Sequence, residues 1–315
     1  MTFRYLDYEA SRTVPNIVVD GSPNEASVLA LSHWPGIAAP PGLARDLSAE
    51  MAFAYLAAPA DHEPAEVVTN NHFDQDGLVA VHAFVEPEIS LANRELLIDL
   101  AAAGDFGTYR DRRAARASMV LSHLAAAETT CSYSEFTDQL YRDLLPQVMS
   151  IVLDSERYRD LWADEDEALT DSEQALATGA VTITERPDID LAIVVIDADQ
   201  PVRSGHRFGG DSFEGIHPMA IHNATDRFRL LVVHGRRYRY VDRYETWVQY
   251  RSRPVLPRID MRPLADRLTA DETGDVSWDA GDPGDLSPEL GHDGESTIDV
   301  DTLVRRVADH LSATA

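Results

Sequence analysis

The stretch Glu66-Val67-Val68-Thr69-Asn70-Asn71-His72-Phe73-Asp74-Gln75-Asp76-Gly77 leads directly into Leu78-Val79-Ala80-Val81-His82-Ala83-Phe84. Glu66 to Thr69 is a short β-branched run stopped by two asparagines, the pattern of a buried strand. Gly77 to Phe84 carries a helical period. Between them stand His72, Asp74 and Asp76. In open parallel sheets, ligands gather beyond the carboxyl ends of the strands. Alternate residues of an extended segment point the same way, so these three side chains can converge on one point. Two carboxylates and an imidazole that close repel or desolvate badly without a cation, and a divalent ion relieves both problems. Gly77 lets the chain turn into the helix and leaves room at its N-terminus, where anions are favoured. The plainer alternative is an aspartate N-cap on a solvated turn. It accounts for Asp76 and in part for Asp74, but leaves His72 between Asn71 and Phe73 without a role.

Working outward, Asn16 to Asp20 and Ala26 to Leu31 are short apolar runs closed by turn residues, and so read as buried strands. Ala44 to Leu56 and Leu91 to Ala103 read as helices. Strands alternating with helices predict an α/β fold with a largely parallel sheet and flanking helices. This α/β metal-site domain spans residues 1–110. Residues 111–178 form a helical segment of three helices, with stripes such as Phe136, Leu140, Leu144, Val148 and Val152. A smaller β-rich part covers 179–267. Its strands are Ala180–Thr184, Leu191–Ile196 and a hairpin of Arg227–Val233 and Arg236–Gln249 around His234-Gly235. Tyr238, Tyr240 and Tyr244 alternate with Arg237, Arg239 and Arg243, so one face of the hairpin is wet. From Leu268 to Val304 there are eleven acids and no arginine. With Gly281-Asp282-Pro283-Gly284 inside it, 268–297 reads as an acidic flexible linker. The apolar pattern Val300, Leu303, Val304, Val307, Leu311 predicts a closing helix over 298–315.

Composition narrows the chemistry. The 315 residues carry a net charge of −27, and all 27 basic residues are arginine. That charge opposes long nucleic acids and anionic membranes as partners. No apolar run approaches the roughly 20 residues of a membrane helix. Met1 to Asp20 has no basic region followed by an apolar core, so no signal peptide is expected and the protein reads as cytoplasmic. Without lysine, Schiff-base chemistry is excluded. With one cysteine, Cys131, an internal disulfide and a thiolate zinc site are excluded. Histidine and carboxylate ligands then favour Mn²⁺ or Mg²⁺, one ion or two, with Zn²⁺ as the alternative. No Gly-x-Ser-x-Gly elbow, P-loop or Gly-x-Gly-x-x-Gly is present.

Other residues are candidates to complete a site. His33, in Ser32-His33-Trp34-Pro35-Gly36, follows a strand on what is expected to be the same sheet edge. His217 and His222 lie in one polar loop. His33 or His217 would complete a metal shell or protonate a leaving group. Arg203, Arg207 and His222 are candidate substrate-binding residues, since arginine forks hold phosphates in pairs of hydrogen bonds. His206 precedes Gly209-Gly210-Asp211, a weak anion-loop pattern. Eleven arginines lie between Arg227 and Arg267. They read either as an anion site or as partners of the acidic remainder.

The segment His72-Phe73-Asp74-Gln75-Asp76-Gly77 resembles the first motif of the DHH-type phosphoesterases, His-x-Asp-x-Asp-Gly after a strand. The resemblance implies that His72, Asp74 and Asp76 hold manganese. The aspartate of the family's second motif would be Asp105 in Ala103-Gly104-Asp105-Phe106-Gly107, or less aptly Asp99. Only the first motif is sharp, and no Asp-His-His triplet occurs in the chain. Taken whole, the chain looks like a member of an uncharacterised actinobacterial family of unknown function. The expected activity is metal-dependent hydrolysis of a small phosphoester. The alternatives are a non-catalytic relative that binds a ligand or partner, and a metalloenzyme of other chemistry with the same ligands.

Overall fold

The computed structural model describes residues 3–58, 63–126, 129–197, 199 and 215–314. The chain divides into two compact units, residues 1–166 with 248–253, and residues 167–247 with 254–315.

The first unit is built on β1 (Arg4–Tyr5), β2 (Asn16–Val19), β3 (Ser27–Leu31) and β4 (Val67–Thr69). Their order in the sheet is β1-β4-β2-β3, and every pairing is parallel. β2 and β4 are wholly buried, which is why they read as unbroken apolar runs rather than alternating ones. The helices of this unit include α1 (Tyr8–Ser11), α2 (Ser48–Leu56), α3 (Gln75–Val85), α4 (Pro87–Ala92) and α5 (Arg94–Asp105). Helix α3 is buried from Gln75 to Phe84 and packs against both α2 and α5. Because all four strands run the same way, their carboxyl ends share one edge. Asp20, His33 and Asn70 therefore emerge side by side.

The helical middle differs in detail from the expectation. The helices are α6 (Arg112–Ala125), α7 (Tyr133–Leu144), α8 (Val148–Leu153) and α9 (Arg159–Thr178). The stripe from Phe136 to Val152 is two helices, not one. Leu145–Gln147 forms a short 3₁₀ turn around Pro146, whose missing N–H interrupts the α-helical ladder. Residues 111–166 belong to the same unit as the parallel sheet. Asp166 ties them down by accepting from both Arg112 (2.6 Å) and Arg116 (3.0 Å).

The second unit holds β5 (Val181–Arg186), β6 (Leu191–Ile196), α10 (Pro218–Ala224), β7 (Arg229–His234), β8 (Arg237–Asp242), α11 (Arg262–Asp271), β9 (Trp278–Ala280), β10 (Glu289–His292) and α12 (Val300–Thr314). The strands form one mixed sheet, ordered β5-β6-β7-β8-β10-β9. The β7–β8 hairpin turns at Gly235 in the left-handed region (φ 58°). Its second strand stops at Asp242, short of the expected Gln249. Leu303, Val307 and Leu311 of α12 pack into the same core as Trp278, Leu290 and Leu264.

The acidic stretch 268–297 is not a linker. It supplies β9 and β10, with Trp278 and Leu290 buried while Asp279 faces out. Glu272 organises it, receiving Trp278 Nε1 (2.9 Å), Ser296 Oγ (2.5 Å) and Thr297 N (2.8 Å). Partial burial opposes its charge, but these donors outweigh that and hold its carboxyl down at about 2. The acids mask the strands because only every second residue of a short strand needs to be apolar. Among the described residues no helix is long and apolar enough to cross a membrane.

Candidate metal centre

Six titratable side chains of the first unit gather beyond the carboxyl edge of the sheet. Asp20 directly follows β2, and His33 follows β3. His72 follows β4, Asp74 caps α3, Asp76 lies in its first turn, and Asp105 is the last residue of α5. His33, Asp20 and Asp76 are all inaccessible to solvent.

His33 is held at both ends. Its Nδ1 lies 2.5 Å from the Asp46 carbonyl oxygen, which can only accept. Nδ1 therefore carries a proton, and Nε2 is the ring nitrogen that faces the cluster. That nitrogen lies 3.4 Å from Asp20 Oδ1, 3.4 Å from Asp105 Oδ2 and 4.0 Å from Asp76 Oδ2. A histidine whose other nitrogen is tied to a backbone carbonyl is the usual orientation of a metal ligand. On the other side, His72 Nε2 stands 2.6 Å from Asp74 Oδ2 and 3.3 Å from Asp20 Oδ2. The Trp34 ring covers it, with centroids 4.9 Å apart.

The carboxylates are also positioned. Asp74 Oδ1 accepts from Gly77 N at 2.8 Å, so the N-cap role expected of this turn is real and falls to Asp74. Asp76 instead reaches the N-terminus of α2. It accepts from Ser48 N (2.7 Å) on Oδ2 and Ala49 N (2.8 Å) on Oδ1. Ser48 Oγ donates to Asp20 Oδ1 at 2.8 Å. Asp20 itself has φ 47°, a left-handed conformation that costs a non-glycine residue about 1–2 kcal/mol and collects at functional sites.

The electrostatics are those of too many acids in one dry place. Burial, then the charge of Asp74, raises the Asp20 carboxyl above the ordinary range. Burial, then Asp20 and Asp74, raises Asp76 further. Burial pushes Asp74 up as well, but the charge and hydrogen bond of His72, the Gly77 amide and Asp20 together outweigh it and bring its carboxyl down to about 2. His72 is raised despite burial, by Asp74 and Asp20. Two overlapping groups, Asp20–His72–Asp74 and Asp20–His33–Asp76, each bring their ligand atoms within 4.8 Å of one another. Like charges at that separation repel by roughly 3–4 kcal/mol at an effective dielectric constant of 20. A divalent cation in either group turns that repulsion into coordination, and all the donors are the oxygen and imidazole types that suit Mn²⁺ or Mg²⁺. The residues present fit such an ion. Asp20, common to both groups, offers one oxygen to each.

The frame leaves no slack. A Cβ on Gly77 would lie 2.3 Å from Asn70 Nδ2 and 2.7 Å from the Tyr141 hydroxyl, two groups already bonded to each other at 2.9 Å. Gly77→Ala is therefore expected to destabilise by about 1–3 kcal/mol through overpacking, more than the roughly 1 kcal/mol an alanine gains in helix propensity. A denaturant midpoint at or above the wild-type value would refute the fit.

The residues picked from sequence separate clearly. His72, Asp74, Asp76, Asp105 and His33 come together. Asp99 does not join them. It accepts from the backbone of Arg110 and Asp111 (2.7–3.0 Å) and fixes that loop. His217 and His222 lie on α10 of the second unit, where the His217 ring caps its own helix by accepting from Met219 N at 3.2 Å. Arg203, Arg207, His206 and the Gly209-Gly210-Asp211 loop fall outside the described residues. In the arginine-rich stretch, several arginines are matched to acids, such as Arg243 with Glu245 (2.5 Å) and Arg262 with Asp260 (2.8 Å). This fits pairing with the acidic remainder. Asp20 is the ligand candidate that sequence reasoning missed. The available signal was an aspartate directly after the apolar run Ile17-Val18-Val19 of a buried strand.

Among known proteins, no curated protein and no solved structure matches the chain. One family model matches residues 1–309, described as a family of unknown function, DUF6687. The chain belongs to that family, the DUF6687 family of unknown function.

Proposed function

We propose that the protein is a metal-dependent hydrolase of a small phosphoester, similar in its chemistry to the DHH-type phosphoesterases. The observation that carries the reading is Asp20, a buried and strained carboxylate common to two His–Asp groups on the carboxyl edge of a parallel sheet. His72, Asp74 and Asp20 would hold one Mn²⁺ or Mg²⁺. Asp20, His33 and Asp76 would hold a second, with Asp105 beside His33. Such ions supply Lewis acidity, which acidifies water and draws charge from a phosphoryl oxygen.

The chain's own residues do the rest. Asp46 and the α2 amides of Ser48 and Ala49 fix His33 and Asp76 before any ligand arrives. Trp34 shields His72 from solvent. The N-terminus of α3 is taken by Asp74, which accepts from Gly77 N and is thereby fixed at the centre. His33, whose Nδ1 donates to the Asp46 carbonyl, would serve as a ligand through Nε2 rather than as a proton donor.

The test is metal analysis of the purified protein with a Mn²⁺-dependent assay on generic and nucleotide phosphoesters. Asp74→Asn is the control, since it keeps the helix cap but removes a charge. Metal content and turnover should both fall about a hundredfold or more, beyond the effect of losing an outer-shell partner. Unchanged metal content in Asp74→Asn sinks the assignment. Metal bound without turnover of any phosphoester favours the second reading, a non-catalytic binding protein, to which the missing triplet points.

A further inference from the structure

His33 stands on irregular chain. Residues 32–47, between β3 and α2, form neither helix nor strand, so no ladder of their own satisfies their carbonyls or holds the ring still. The hold comes from far along the sequence. Residues 248–253 belong to the first unit, although the chain on either side of them belongs to the second. Gln249 N donates to the His33 carbonyl at 2.7 Å. Gln249 Nε2 donates to the carbonyls of Trp34 and Ile37, each at 2.6 Å. Its amide oxygen is itself steadied by the Arg251 guanidinium at 2.8 Å. The same short segment grips the far end of the loop. Asp46 Oδ1 accepts from Arg251 N (2.5 Å) and Ser252 N (3.0 Å), and Ser252 Oγ donates to Asp46 Oδ2.

Asp46 is also the residue whose carbonyl takes His33 Nδ1. Donor and acceptor of the bond that orients the ring are thus both fastened to residues 248–253. Tyr250 adds apolar support. Its ring meets Phe106 edge-on with centroids 5.6 Å apart, and Phe106, which follows Asp105, lies 6.3 Å from the His33 ring. A ligand is useful only when it is held within about 0.5 Å of its productive place, and an irregular loop reaches that precision only through groups that brace it. We propose that Gln249 is a positioning residue of the metal centre. Its amide holds the His33 loop against Asp46, so that Nε2 faces Asp20, Asp76 and Asp105 before any ion binds. That an ion is what His33 then meets rests on the metal-centre reading; that the ring is held does not.

Mn²⁺ is titrated into the full chain and into Gln249→Met, His33→Gln and the double variant. Methionine keeps the length of Gln249 and removes its amide, while the backbone N–H stays. Gln249→Met should bind Mn²⁺ about tenfold more weakly, the scale of losing a group that orients a ligand. In the His33→Gln background the same change should cost less than about twofold, because a residue that acts through His33 has nothing left to act on. A merely structural Gln249 costs the same in both backgrounds. The second readout needs no ion. The Nδ1 proton of His33, held on a carbonyl inside the protein, should give a sharp ring N–H signal in the NMR spectrum of the metal-free chain. It should be absent from His33→Gln and lost or broadened in Gln249→Met. Ser252→Ala, a change at an exposed position that removes one donor to Asp46, should shift the same signal. A wild type that binds no Mn²⁺ sinks the metal centre and leaves the ring signal to decide on Gln249. Unchanged Mn²⁺ affinity in Gln249→Met, an equal loss in both backgrounds, or a ring signal that neither Gln249→Met nor Ser252→Ala alters each overturns the role of Gln249.

Discussion

If the proposed metal centre holds Mn²⁺, the ion should stabilise the wild-type protein and Asp20→Asn should abolish that stabilisation. A ligand that binds only the folded state, at a thousand times its dissociation constant, adds about 4 kcal/mol. For a unit of this size, that raises the melting temperature by roughly 8–16 °C. Asp20 is common to both ligand groups, so its loss weakens each of them. Without metal the sign reverses. Burial and Asp74 already push the Asp20 carboxyl up, which means that its charge opposes folding. Asparagine keeps an oxygen for Ser48 Oγ and removes that charge. The metal-free variant should therefore melt no lower than the metal-free wild type. Thermal melts with and without Mn²⁺ decide the matter. A variant that keeps the full Mn²⁺ response shows that Asp20 is no ligand. One that is weaker in both conditions shows that its role is structural.

The second large effect is acid sensitivity set by His82. This residue is 2% exposed on α3, with Nδ1 2.8 Å from Ser90 Oγ. Burial pushes its imidazole down to about 4, from 6.5. The folded state thus resists a proton that the unfolded chain accepts. The contribution to stability is intact above pH 6.5, is lost progressively as pH falls from 6.5 to 4, and changes no further below that. At 1.36 kcal/mol per pH unit, the loss amounts to about 3 kcal/mol. His82→Gln should lower stability at neutral pH, because it changes a packed side chain, yet flatten the slope between pH 6.5 and 4. A variant whose stability falls as steeply as that of the wild type in that window assigns the acid sensitivity to other groups.

Much of the first unit was legible in local pattern. The run Val67–Thr69, the two asparagines and the helical period after Gly77 are written within one turn of each other, and local spacing is what strands and helices obey. For the same reason His72, Asp74 and Asp76 could be placed on one edge without any tertiary information. The segment 268–297 misled because acids dominate its composition. Strand pairing asks only for buried positions such as Trp278 and Leu290, and the partner strand β8 lies some fifty residues away. The stripe from Phe136 to Val152 misled because an apolar period continues through Pro146, while the hydrogen-bond ladder does not.

The sequence alone determined the class of fold, the strand–turn–helix at Asn70 to Gly77, and the kind of ion such donors suit. Sheet order was decided only by tertiary structure. Placing β4 beside β2, and β2 beside β3, carries Asp20 and His33 to the same edge as His72, although 39 residues separate His33 from His72. The reach of Asp76 to the amides of α2, and of Asp105 to His33, was decided in the same way. These contacts depend on how elements distant in the chain pack, and no residue period records that.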